Sequence, residues 1–296
     1  MYFRKDTRIG SHAKSKAGIN TAAGNQPASM ANAIASLKAP MFAPKYEKCF
    51  VKGVKLALQG NYIAALPTLR AAIEHAKGAV VSPDFFFGYC HSRLDQNVEA
   101  IEQFSHVVAS DVPLPDELMV KYRLQGHIPL AVTPNLIVTV PFSTIGAALL
   151  LTELYQEVGQ MDKAVGVLEA LMHAGVNDTI ITSSLAELYT LMEHWDEAIE
   201  ITDKMTNDDD ITCQAMIFRG RAFSAKGLNQ AALESLKGAL RSKKRSAQLL
   251  MTARCERAAV YSTLGKKAQA RKDLELVMAE DSTFGDASKR LAELGD

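Results

Sequence analysis

From residue 45 onward, apolar residues recur at three- and four-residue spacing in short runs broken by Gly, Asn or Asp. This is the pattern of successive amphipathic helices. Residues 1–29 show no such periodicity and read as disordered, and Met30 to Leu37 reads as a short helix stopped by Pro40 and Pro44. Between residues 115 and 144 the pattern changes. Glu117 to Gln125 reads as one helix, and Ile128 to Pro141 is β-branched and apolar with the turn residues Pro134-Asn135 in the middle, as two short strands would be. Pro129 and Pro141 confine those strands to edges or ends.

The helical stretches repeat. Gly159-Gln160-Met161-Asp162-Lys163-Ala164, Glu193-His194-Trp195-Asp196-Glu197-Ala198 and Gly227-Leu228-Asn229-Gln230-Ala231-Ala232 place their alanines 34 residues apart. Similar segments end at Ala65, Ala100 and Ala270. Six units follow, at about 46–79, 81–114, 145–178, 179–212, 213–246 and 251–284. The first helix of a unit carries a small residue at Gly53, Gly88, Ala186, Gly220 and Ala258, with Thr152 as the exception. An aromatic follows three residues later at Tyr155, Tyr189, Phe223 and Tyr261, while Leu56 and His91 depart. Four residues beyond the alanine of the second helix stand Leu69, Phe104, Leu168, Leu236 and Leu274, with Thr202 departing. Small residues where two helices cross let the backbones approach, and large ones fill the space beside them.

In these positions the chain resembles the tetratricopeptide repeat family, whose unit is 34 residues of helix–turn–helix, over about 204 of its 296 residues. The proline that closes the family's unit is mostly missing, with Pro113 the nearest match. The resemblance implies an all-α, right-handed superhelical solenoid of about six repeats, interrupted by a β-hairpin-like insertion. The implied organisation is a basic tail over 1–44, two repeats over 45–114, the insertion over 115–144, and four repeats over 145–296 with a capping helix at 285–294. Each unit alone cannot bury its apolar face, so neighbours must stack. An isolated hairpin is marginal in water. The insertion therefore either covers the core between the two halves or offers an edge for β-pairing with another chain.

Charge modifies this picture slightly. Lysines and arginines equal acids at 33 each, but residues 1–44 hold six bases against Asp6 alone. A global basic field for nucleic acid is absent, although the tail could meet an acidic partner and loosely fits a transit peptide. The run from Lys237 to Arg245 is the strongest basic cluster, and cations at a helix C-terminus are expected. No apolar stretch reaches 18 residues, which argues against a membrane span. Cys49, Cys90, Cys213 and Cys255 stand too far apart for a zinc or redox spacing and read as buried free thiols of a reducing, cytoplasmic compartment. Asn177-Asp178-Thr179 is a formal glycosylation sequon without a secretion signal.

Chemistry is not visible. Walker, GxGxxG, HExxH and GxSxG signatures do not occur, and none of the seven histidines has a metal-ligand spacing. We therefore expect no catalytic residue, metal or cofactor. The resemblance implies instead a concave face lined by the first helices, at the second, fifth, ninth, twelfth and thirteenth residue of each unit. Carboxylate-clamping members use Lys at the fifth and Asn at the ninth place, and neither occurs here. Phe50, Phe85 and Tyr89 suggest an aromatic N-terminal part of that face; Glu153, Gln156, Glu157 and Glu187 suggest an acidic middle, with Arg221 beyond. The expected partner is a peptide or helix with apolar anchors and basic residues. Two other readings stand beside it: the chain fills its own groove, or it is a subunit that acts by self-association.

Overall fold

The computed structural model describes residue 34 and residues 37–133 and 136–295, with the backbone alone at 131–133 and 136. Most of the basic tail, nearly all of the helix expected from Met30 to Leu37, and the Pro134-Asn135 turn lie outside the described residues. Among the described residues there are fourteen helices and one two-stranded sheet. The chain divides into two compact units, Met1–Val158 and Gly159–Asp296.

Unit 1 holds two helix–turn–helix pairs, α1 (Lys45–Leu58) with α2 (Tyr62–Ala76) and α3 (Ser82–Arg93) with α4 (Asn97–Ala109). The insertion follows as α5 (Glu117–Lys121), β1 (His127–Thr133) and β2 (Leu136–Pro141), and α6 (Thr144–Glu157) closes the unit. Helix α2 packs on α3, and α4 on α6. Unit 2 begins with α7 (Met161–His173) and continues with the pairs α8 (Thr179–Leu191) and α9 (Trp195–Thr202), α10 (Asp210–Ala225) and α11 (Asn229–Ala239), and α12 (Ala247–Thr263) and α13 (Lys267–Glu280). In unit 2 the first helices of successive pairs touch, α8 on α10 and α10 on α12. Helix α14 (Ala287–Glu293) packs on α13 and brings Ala287 and Leu294 into the apolar cluster of Met251, Ala258, Ala270, Leu274 and Val277.

The helix crossings explain the spacing of small residues. Ala65, Ala100, Ala164, Ala198, Ala232 and Ala270 are all fully buried. A Cβ added to Gly53 would lie 2.6 Å from Leu69 Cγ, and one added to Gly220 would lie 2.7 Å from Leu236 Cγ. The glycine of the first helix thus receives the leucine of the second, and each fully buried leucine contributes about 1.5–3 kcal/mol. At the turn between paired helices the chain takes a left-handed residue. Gly227 does so at φ 75°, whereas Asp95 and Glu193 hold φ 61° in the same place, where a side chain costs roughly 1–2 kcal/mol.

Three departures have local causes. Thr202 stands where the pattern wants a large apolar residue; its buried hydroxyl donates to Ala198 O at 2.6 Å and α9 ends there, after 8 residues. Helix α10 starts at Asp210, three residues ahead of the unit boundary expected at 213, because Asp209 and Thr212 form a reciprocal capping box. The helix expected to reach Gln125 stops at Lys121, since Arg123 takes φ 50° and Leu124 N donates back to Met119 O.

The hairpin pairs His127 with Pro141, Ile128 with Val140 and Leu130 with Val138, and a bulge falls between Ala131 and Thr133. Ile128, Leu130, Val138 and Val140 are buried, while Ile137 and Thr139 between them are exposed. The alternation shows one face laid on protein, and β2 packs against α6. No helix among the described residues is long and apolar enough to cross a membrane.

Candidate functional site

The second and fifth places of the first two units are Glu47 and Phe50 on α1, and Ser82 and Phe85 on α3. Contacts from the insertion reach this row. Glu47 accepts from Lys121 Nζ at 2.5 Å and from the Tyr122 hydroxyl. Asp116 Oδ2 accepts the backbone N–H of Val81 at 2.9 Å and of Ser82 at 2.8 Å, while its Oδ1 accepts that of Met119 at 3.1 Å. A single carboxylate therefore caps both α3 and α5. Beyond the hairpin, the Phe142 ring stands edge-on to Phe85 and Phe86 at centroid distances of 5.7 and 5.3 Å. Phe85 also meets Phe104 at 5.7 Å, and Phe86 meets Phe50 at 6.0 Å.

This corrects the expected aromatic end of the groove. Phe50, Phe85 and Tyr89 are 0%, 0% and 2% exposed, so no partner reaches them. Phe85 and Phe50 belong to one aromatic cluster with Phe142, and Tyr89 packs edge-on against Tyr62 at 6.0 Å. Pairs of this kind contribute about 0.5–1.5 kcal/mol each beyond the area they bury. In unit 1 the chain fills this face itself, and the insertion is the filling.

The polar candidates are differently placed. Glu153, Gln156 and Glu157 share one face of α6, with Glu153 and Gln156 half-buried and Glu157 exposed. Asn97 Nδ2 donates to Glu157 Oε2 at 3.2 Å. On α8, Glu187 is half-buried, and Leu191, one turn later, is 57% exposed. On α10, Arg221 donates from Nε to Glu256 Oε1 of α12 at 2.7 Å and lies over the Phe218 ring. Thus Glu153, Gln156 and Glu157 belong to unit 1, and Glu187 and Arg221 to unit 2. Glu256 is absent from the sequence reading because it lies one place off the projected row. Its signal is an acid one repeat length and one residue beyond Arg221.

Residues 147–179 match the family model of the tetratricopeptide repeat. One repeat thus matches the family by sequence, and the fold is that of a tetratricopeptide-repeat solenoid. Among solved structures, the N-terminal domain of the EccA1 ATPase from the ESX-1 secretion system of Mycobacterium tuberculosis is similar, with 15% identity and a TM-score of 0.58 over 85% of this chain and 90% of that one. The C-terminal part of a TPR repeat-containing protein from Cytophaga hutchinsonii is similar at 14% identity and a TM-score of 0.58, over 88% of this chain and 93% of that one. At such identities the likeness is one of fold. No curated protein matches the sequence significantly.

The electrostatics of the covered face follow from burial and from the partners of each group. Burial alone would raise the Glu47 carboxyl, but the hydrogen bonds from Lys121 and Tyr122 and the ammonium charge outweigh it and hold it below its ordinary range. Burial, reinforced by the Glu47 carboxylate, pushes the Tyr122 phenol up. On α3, burial raises the Asp84 carboxyl despite the His106 ring at 3.0 Å. Burial likewise pushes up the thiols of Cys90, to about 12, and of Cys213 and Cys255, to about 11; of the four cysteines expected to be buried, Cys90 and Cys213 are, while Cys49 and Cys255 are half-buried. Among the described residues no group of three or more His, Cys, Asp or Glu side chains could hold a metal ion.

Proposed function

We propose that this chain is a non-catalytic scaffold that holds a protein or peptide segment bearing basic and apolar residues. The observation that supports this is a contrast along the first helices. The second and fifth places of α1 and α3 are covered by the insertion, whereas Glu153 on α6 and Glu187 on α8 remain partly accessible. Glu187 and the exposed Leu191 stand one turn apart on one helix face, an acid beside an apolar spot. Such a pair suits a basic residue next to an apolar anchor: the anchor supplies most of the affinity, and the charges set choice and rate.

The test is a pull-down and titration of basic-apolar peptides against the full chain, the variant Glu187→Lys with Leu191→Ala, and the variant Glu153→Lys. Charge reversal should weaken binding at least tenfold and abolish its salt dependence. Equal capture by all three proteins would overturn the reading.

A further inference from the structure

One irregularity of the array adjoins a cavity that the first helices do not use. Helix α9 stops at Thr202, and a non-helical segment, rather than further turns of helix, leads on to α10. Arg219 of α10 fastens the shortened end by donating to Thr202 O at 2.6 Å and Asp203 O at 2.8 Å. What remains is a cavity of about 470 Å³ between the 205–208 segment, α10 and the end of α11. Met205 and Met216 supply apolar surface, and Arg219, Arg241, Asp208 and Glu234 are its charged lining.

We propose that this cavity is a second docking site, one that takes an acidic peptide segment, with a carboxylate on Arg241 and an apolar side chain between Met205 and Met216. Three observations carry it. Among the described residues, Arg241 is the guanidinium of the lining without a partner: Arg219 is held by Thr202, Asp203 and Ser235, and the neighbouring Arg245 by Asn207 and Asp208. Of the two acids, Glu234 is already matched by Lys237 at 2.8 Å, so the lining leans positive, and Lys243 and Lys244 extend that charge beyond the rim. A Cβ on Gly238 would lie 2.4 Å from Met216 Cε, so the thioether runs over a bare backbone and forms the cavity wall. Methionine is adaptable and polarisable, and a guanidinium binds carboxylate in two-pronged fashion. The site is separate from the Glu187 face and asks for the opposite charge in its guest.

The full chain labelled with ¹³C at the methionine methyls tests this by NMR. The probes are peptides with a central Phe or Leu flanked by Glu, the same peptides with Lys for Glu, and inorganic phosphate. The acidic peptides should shift the Met205 and Met216 signals saturably, Arg241→Glu should weaken them at least tenfold, and Glu187→Lys should leave them unchanged. Absence of shifts at millimolar peptide, equal shifts by the lysine peptides, or full binding by the R241E variant would overturn the proposal. Equal shifts by phosphate would reduce the cavity to a simple anion site and overturn it as well. Arg241 is exposed, so its substitution leaves the fold intact, and unchanged methionine signals in the free variant verify that.

Discussion

Phe142 stands edge-on to Phe85, ring centroids 5.7 Å apart, and so joins the end of the insertion to the inner helix of the second repeat. Phe142 also lies against Gly126, where an added Cβ would come within 2.4 Å of the ring, and its N–H donates to Gly126 O at 3.0 Å across the base of the hairpin. Phe142→Ala should therefore cost about 3–5 kcal/mol in chemical denaturation, and Gly126→Ala about 1–3 kcal/mol through overpacking. Losses below about 0.5 kcal/mol for both would mean that the insertion is not part of the core.

Removing the shared cap at Asp116 should be costlier than removing an ordinary one. Asp116→Ala leaves the N–H groups of Val81, Ser82 and Met119 without their acceptor in a buried setting. An ordinary cap contributes about 0.5–2 kcal/mol, and here two helix starts lose theirs, so about 2–4 kcal/mol is expected. Asp116→Asn, which keeps one acceptor oxygen, should recover part of it.

Glu47 and Asp84 should give opposite pH dependences. The Glu47 carboxyl is held below 4.5 in the folded chain, so its contribution is present above 4.5 and lost as pH falls through the lower folded value. The stability gap between wild type and Glu47→Gln should therefore close on acidification below 4.5. The Asp84 carboxyl is raised above 3.8, so its contribution is present below 3.8 and lost as pH rises through the raised value. Relative to wild type, Asp84→Asn should become more favourable with rising pH. Denaturant midpoints measured from pH 3 to 7 check both signs.

Two ion pairs of unit 2 should behave unequally. Arg257 donates from Nε and Nη2 to the two carboxylate oxygens of Asp273, at 2.8 and 2.7 Å, and Asp273 is only 3% exposed. Arg257→Ala strands a buried charge and should cost about 3–5 kcal/mol. The Arg221–Glu256 pair is about one-third exposed, and a double-mutant cycle should return less than about 1 kcal/mol.

The repeat was legible because its physics is local. Two helices that cross closely need a small residue opposite a large one, and Gly53 against Leu69 or Gly220 against Leu236 writes that need at fixed spacing. The strands of the insertion were legible from their β-branched and apolar content around turn residues, whereas which residues face inward, such as Ile128 and Leu130, was not. What covers a face was not legible. Phe50 and Phe85 occupy groove positions by count along the helix, yet counting cannot say that Phe142, far along the chain, packs on Phe85 and on the Phe86 that meets Phe50. Arg221 was read as open for the same reason, because its partner Glu256 comes from the next pair. The early stop at Thr202 left a sequence mark as a departure from the repeat, but the cavity beside it depends on Met216 and Gly238, whose roles appear only in three dimensions.

Asp116 has one more consequence. The first turn of α3 and the first turn of α5 are joined by the two oxygens of one carboxylate, although helix α4 lies between them in the chain. Asp116 caps its own helix locally, whereas the first turn of α3 is completed only when the insertion is in place. Amide protons at Val81 and Ser82 should then exchange with solvent together with those of the insertion rather than as a frayed helix end.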